Sequence, residues 1–95
     1  MSHKGPFLRR KLLITKLVIL KELDCVKIIR LLEPNRQYDG TQGVKRTPQI
    51  GDEGTIVHVY AADGKTRGYI VESVNTEGYT IWLADFLPEE VQSIS

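Results

Sequence analysis

Few side chains in this sequence have the types and spacing that chemistry requires. There are two histidines, His3 and His58, and one cysteine, Cys25. His58 stands between Val57 and Val59 in a β-branched run. A metal ligand or general base there needs partners at set spacing, and no second histidine, cysteine or paired acid supplies them. His58 therefore reads as a strand histidine on a solvent face. His3 falls in the patternless first seven residues. Cys25 as a nucleophile would need a basic or helix-N-terminal setting. It follows Asp24, which pushes the other way, so it reads as a small buried core residue. Gly40 and Gly43 lie in "DGTQG", which lacks the spacing and the Lys-Ser/Thr ending of a phosphate loop. No Ser-His-Asp order and no metal signature is present. The expectation is a protein without catalytic residues, metal or cofactor.

Binding is the better use of the remaining candidates. Arg36, Tyr38, Lys45 and Arg46 lie in one long Gly- and Pro-containing region, and Tyr60 and Trp82 lie in apolar runs. Tyrosine, tryptophan and arginine are the types that dominate protein-interface energetics. Basic residues beside aromatic platforms also suit single-stranded nucleic acid. Charge separates the two readings. The net charge is +1, and residues 68–95 carry five acids and no base, whereas broad phosphate binding calls for a clear basic excess. A protein partner held by Arg36, Tyr38, Lys45, Arg46, Tyr60 and Trp82 is the leading expectation, with nucleic acid as the alternative.

The elements that must position these residues are strands. Residues 24–32, "DCVKIIRLL", form the first confident one, with Val26 and Ile28 on one face and Cys25, Ile29 and Leu31 on the other. The pattern alone does not say which face is the core. An irregular stretch follows at residues 33–53, and loops beyond ~12–15 residues in a compact domain are often functional. Then come strands at 54–60, 68–74 and 79–85, separated by Asp63-Gly64 and by "NTEG" at 75–78, both turn signals. "FLPEEVQSI", at residues 86–94, reads as one 3₁₀ turn and a short closing strand. In "PQIGDEGTIVHVY", Gly51 and Gly54 flank the reversal into a bent strand, and Asp52 holds the turn through nearby backbone N–H groups.

Residues 1–21 differ from the rest. They hold six basic side chains and no acid, around the apolar "LLITKLVIL". The β-branched content leans toward extended structure. Lys16 interrupts the apolar tract, which is nine residues long where a membrane span needs about 20, and no small-residue cleavage site follows as a signal peptide would require. The expected organisation is a basic-apolar arm at 1–21 and one domain at 22–95, with the arm as a route to homodimerisation through edge pairing. A single cysteine permits no internal disulfide and fits a reducing, cytoplasmic setting without membrane association.

Strand, long loop, three-strand meander, 3₁₀ turn and short strand together resemble the Src-homology-3-like small β-barrel of about five strands. More narrowly, Asp24-Cys25-Val26, the run from Gly51 to Tyr60, Tyr69-Ile70-Val71-Glu72 and residues 81–87 resemble a family of small bacterial domains of unknown function with a "GDxGTVVxVY" motif. The resemblance covers residues 22–94. It departs from the family in the N-terminal arm and in a longer loop at 33–50. It implies an all-β fold and no established chemistry. Barrel subunits of photosynthetic reaction centres and nitrile hydratases are similar at the level of fold and are accessory rather than catalytic. Some family members look like companions of nuclease or toxin genes, which makes an immunity or antitoxin role a further alternative.

Overall fold

The computed structural model describes residues 19–94. Residues 1–18 of the expected arm at 1–21, with the strand or helix assignment and the part in dimerisation, lie outside the described residues, whereas Leu20 of that arm packs against the core. The remainder is all-β: β1 (Cys25–Ile28), β2 (Tyr38–Asp39), β3 (Glu53–Ala62), β4 (Lys65–Val74), β5 (Thr80–Phe86), a 3₁₀ turn at Pro88–Glu90 and β6 (Val91–Ser93). They form one antiparallel sheet in the order β2-β5-β4-β3-β1-β6. The strand number is six rather than about five, because the long loop contributes β2, which pairs with β5 through Tyr38↔Ala84 and Asp39↔Leu83. No ladder joins β2 to β6, so the sheet is not closed into a barrel.

The turns follow local chemistry. Asp63 and Gly64 have φ of 53° and 73°, the doubly left-handed pair of a two-residue hairpin, and they bring Ala62 opposite Lys65. At the next turn the Asn75 side chain accepts from the backbone N–H groups of Glu77 and Tyr79. Gly78 supplies the positive φ there. The two glycines at the entry to β3, Gly51 before it and Gly54 within it, divide the labour expected of them. Gly51 takes φ 96°, whereas Gly54 is needed for space: a Cβ on it would stand 2.7 Å from the Glu72 carbonyl oxygen.

The core lies on one face of this bent sheet. Val26, Ile28, Ile56, Tyr69, Val71, Trp82, Ala84, Phe86 and Val91 form it, with Leu20, Tyr38, Val59 and Ile81 packed against its margin. Alternation holds from Tyr69 to Ser73 and from Trp82 to Phe86, and a register shift interrupts it at Ile81. Tyr69, Val71 and Ser73 face inward with Trp82, Ala84 and Phe86, so Ile70, Glu72, Leu83 and Asp85 share the outer face. β3 breaks the rule. Ile56 pairs with Val71 and His58 with Ile70, which leaves Val57 as an extra, bulged residue. The bulge turns His58 outward; strict alternation would have placed it inward with Ile56.

Two expectations are corrected here. β1 ends at Ile28 rather than at residue 32, because the N–H groups of Ile29 and Arg30 leave the ladder and donate to the Glu90 carbonyl. Cys25 is exposed rather than buried: Val26 and Ile28 form the core face of β1, and Cys25, opposite Thr55, looks outward.

Gly54→Ala tests the close approach of β3 and β4. The methyl group collides with backbone, which cannot swing aside as a side-chain tip can. Urea denaturation is expected to show a loss of about 1–3 kcal/mol, the usual penalty for overpacking.

Candidate functional site

One buried and one half-buried carboxylate organise the loop that carries most of the candidate residues. Glu90, fully buried in the 3₁₀ turn, faces Arg36, whose side chain is itself only 7% exposed. Arg36 Nη2 donates to both carboxylate oxygens, at 2.5 and 2.6 Å. Glu90 also accepts from the backbone N–H groups of Leu32 (2.6 Å) and Leu87 (2.8 Å). Arg36 Nε donates to the Asp85 carbonyl, and the guanidinium carbon sits 4.4 Å above the Phe86 ring. One ion pair thus joins the long loop, the end of β5 and the 3₁₀ turn. Burial pushes the Glu90 carboxyl up, but the Arg36 bond and the two N–H donors outweigh it and hold the group below its ordinary range.

Asp52 does the same at the other end of the loop. Its carboxylate accepts from Trp82 Nε1 (2.8 Å), from the Gln49 N–H (2.9 Å) and from both terminal nitrogens of Arg46 (2.7 and 3.0 Å). Burial again acts to raise the pKa and is overcome, first by Arg46, so Asp52 is held low. Arg46 is raised in return, chiefly by its bond to Asp52. Trp82 is wholly buried and lies 5.4 Å from Phe86, centroid to centroid. Among the described residues no buried side-chain nitrogen or oxygen lacks a partner.

The six residues singled out from sequence therefore separate. Arg36 and Trp82 are buried and engaged in internal bonds, and Arg46 is half-exposed and paired with Asp52. Lys45 is exposed. Tyr38 and Tyr60 come together, although 22 positions separate them in the chain. With Ile70, Leu83 and Ala84 they line a shallow groove of about 360 Å³, edged by Gln37, Asp39 and Asp85. A neighbouring hollow of about 440 Å³ also touches Asp85, but it is lined by the loop residues from Leu32 to Gln37 rather than by strands. Sequence reading missed Ile70, Leu83, Asp39 and Asp85. Three of the four carry an available signal: once Trp82 is placed in the core, alternation puts Ile70, Leu83 and Asp85 on the opposite face of their strands.

His58 lies 3.9 Å from Glu22 and packs edge-on against the Tyr60 ring. Among the described residues no group of three His, Cys, Asp or Glu side chains is gathered as a metal site would require. No helix of the described residues is long and apolar enough to cross a membrane. No family model, no curated protein and no solved structure matches the chain.

Both carboxylates are depressed in the folded state, so the stability they contribute is fully present above the unfolded range, near pH 4–4.5, and is lost as pH falls through their lower folded values. Denaturant midpoints measured between pH 7 and pH 2 should fall below about pH 4. Glu90→Gln leaves Arg36 as a buried charge without a carboxylate. At neutral pH it should lose about 3–5 kcal/mol and show a shallower acid dependence than the parent.

Proposed function

We propose that this chain is a non-enzymatic protein-interaction or accessory module, built as a small Src-homology-3-like domain and docking a protein partner on the Tyr38–Tyr60–Ile70–Leu83 groove. The sheet order supports the fold reading. Three consecutive strands form a meander beside β1, and the last strand returns to the free side of β1 after a 3₁₀ turn. That order agrees with the resemblance to the small bacterial domains of unknown function.

The groove is the observation that carries the functional reading. Its floor is made by strand residues held by the core behind them, and it is lined by the exposed Tyr60 and the half-buried Tyr38, residues of a type that offers large contact area at low entropy cost. Tyr60 is 43% exposed on a ladder that fixes it opposite Gly68, where no side chain competes for space. A surface so fixed meets a partner with little ordering to be done at the moment of binding. A cytoplasmic setting accords with the single free thiol.

Nucleic acid has less support. Of the three loop bases that favoured it, Arg36 and Arg46 already neutralise internal carboxylates, which leaves Lys45. The groove itself is edged by acids rather than bases.

Capture from native lysate, with nuclease treatment and at low and high salt, tests the proposal. A protein retained at high salt by the parent chain and by Lys45→Glu, but lost with Tyr60→Ala or Leu83→Asp, is the expected result. Capture that vanishes with nuclease or with Lys45→Glu moves the reading to nucleic acid. Capture indifferent to the groove variants removes the docking role from this surface.

A further inference from the structure

The outer face that carries the groove has an uncompensated sign. Cross-strand register sets Asp39 opposite Leu83 and Leu83 opposite Glu72, and in the next row sets Asp85 opposite Ile70. Three carboxylates therefore flank two half-buried aliphatic side chains, and Asp39 and Asp85 are exposed at the groove edges. β5 has no lysine or arginine, and β4 has only Lys65 and Arg67, both at its hairpin end. Among the described residues no ion pair reaches Asp39, Glu72 or Asp85. Glu72 accepts a hydrogen bond from Thr80, a neutral donor. Arg36 touches Asp85 only through the backbone carbonyl, and its charge is already committed to Glu90.

This surface deepens the docking reading above and rests on it. We infer that the groove takes a basic-apolar peptide segment of a partner protein, one in which lysine or arginine alternates with leucine, isoleucine or valine. The aliphatic side chains cover Ile70 and Leu83. The cations meet Asp39 and Asp85 at the two edges and lie over the face of the exposed Tyr60, where the ring quadrupole attracts them. An acidic or purely apolar segment gains none of these charge contacts and leaves the carboxylates facing a partner without donors. Residues 8–20 of this chain, "LRRKLLITKLVIL", have this composition in sequence and supply a peptide probe.

The test is an NMR titration of the full chain with a synthetic peptide of residues 8–20. A control peptide carries glutamate at each of its four basic positions. A chain with Arg9→Glu, Arg10→Glu and Lys11→Glu is titrated in parallel, so that competition by the chain's own copy of the segment is removed. The expected result is a shift of the Tyr60, Ile70 and Leu83 signals with the basic peptide in at least one of the two chains. Asp39→Lys with Asp85→Lys, both exposed, should weaken that binding roughly tenfold or more, at about 1 kcal/mol per lost pair. The control peptide should leave the signals unmoved. Equal binding of both peptides, no loss in the double variant, or no shift in either chain overturns the inference. If the peptide fails while lysate capture still depends on Tyr60 and Leu83, the cationic partner is wrong and the docking surface stands. If capture is also indifferent to the groove, both readings fall.

Discussion

The ion pair between Arg36 and Glu90 is the constraint on which the rest of the structure depends. Removing two charges from water costs several kcal/mol each, so such a pair persists only where additional donors and good geometry offset the desolvation. Here the offsets are explicit. Glu90 has Leu32 and Leu87 N–H groups besides Arg36, and Arg36 has the Asp85 carbonyl and the Phe86 ring besides Glu90. The pair joins segments 54 positions apart. It pins the long loop against the end of β5, and it holds the 3₁₀ turn so that β6 can pair with β1. The Glu90 carbonyl meanwhile takes the N–H groups that end β1. The ladder alone leaves β2 and β6 at open edges; this polar contact is what ties the two ends of the chain's path together.

Asp52 repeats the solution with a different purpose. It places a polar anchor under Trp82, the largest side chain of the core, and so gives a buried indole N–H the partner it requires. Arg46 neutralises the charge at the surface side. The Gln49 N–H fixes the turn into β3, the local role that the sequence suggested for Asp52. One carboxylate thus couples loop conformation to core packing. The consequence reaches function. Two of the three loop cations are consumed internally, while among the described residues Asp39, Glu72 and Asp85 have no ion-pair partner.

Much of the fold was legible in the sequence. The three meander strands, both tight turns, the Pro88 turn and the short closing strand follow from β-branched runs and Gly, Asn and Asp positions, which act over a few residues. The candidate site was legible in part. Tyr38 and Tyr60, singled out as interface-enriched types, line one groove, but Arg36 and Trp82, of the same kind by type, turn inward. Residue type distinguishes neither pair: an arginine beside a tyrosine in a loop looks the same whether its carboxylate is a partner protein's or Glu90.

What the sequence by itself determined was the class of the protein: all-β, turns at Asp63-Gly64 and 75–78, and an uneven distribution of charge. Each of these depends on neighbours close in the chain or on composition alone. Only the tertiary structure decided which face each strand presents. A single bulged residue, Val57, reverses the side of His58. Cys25 and Val26 are interchangeable as core candidates until β1 is set between β3 and β6. The Arg36–Glu90 and Asp52–Trp82 contacts link residues 54 and 30 positions apart, and their strength comes from burial that no local segment possesses. The groove exists for the same reason: Tyr38, Tyr60, Ile70 and Leu83 become one surface only when four strands are placed side by side.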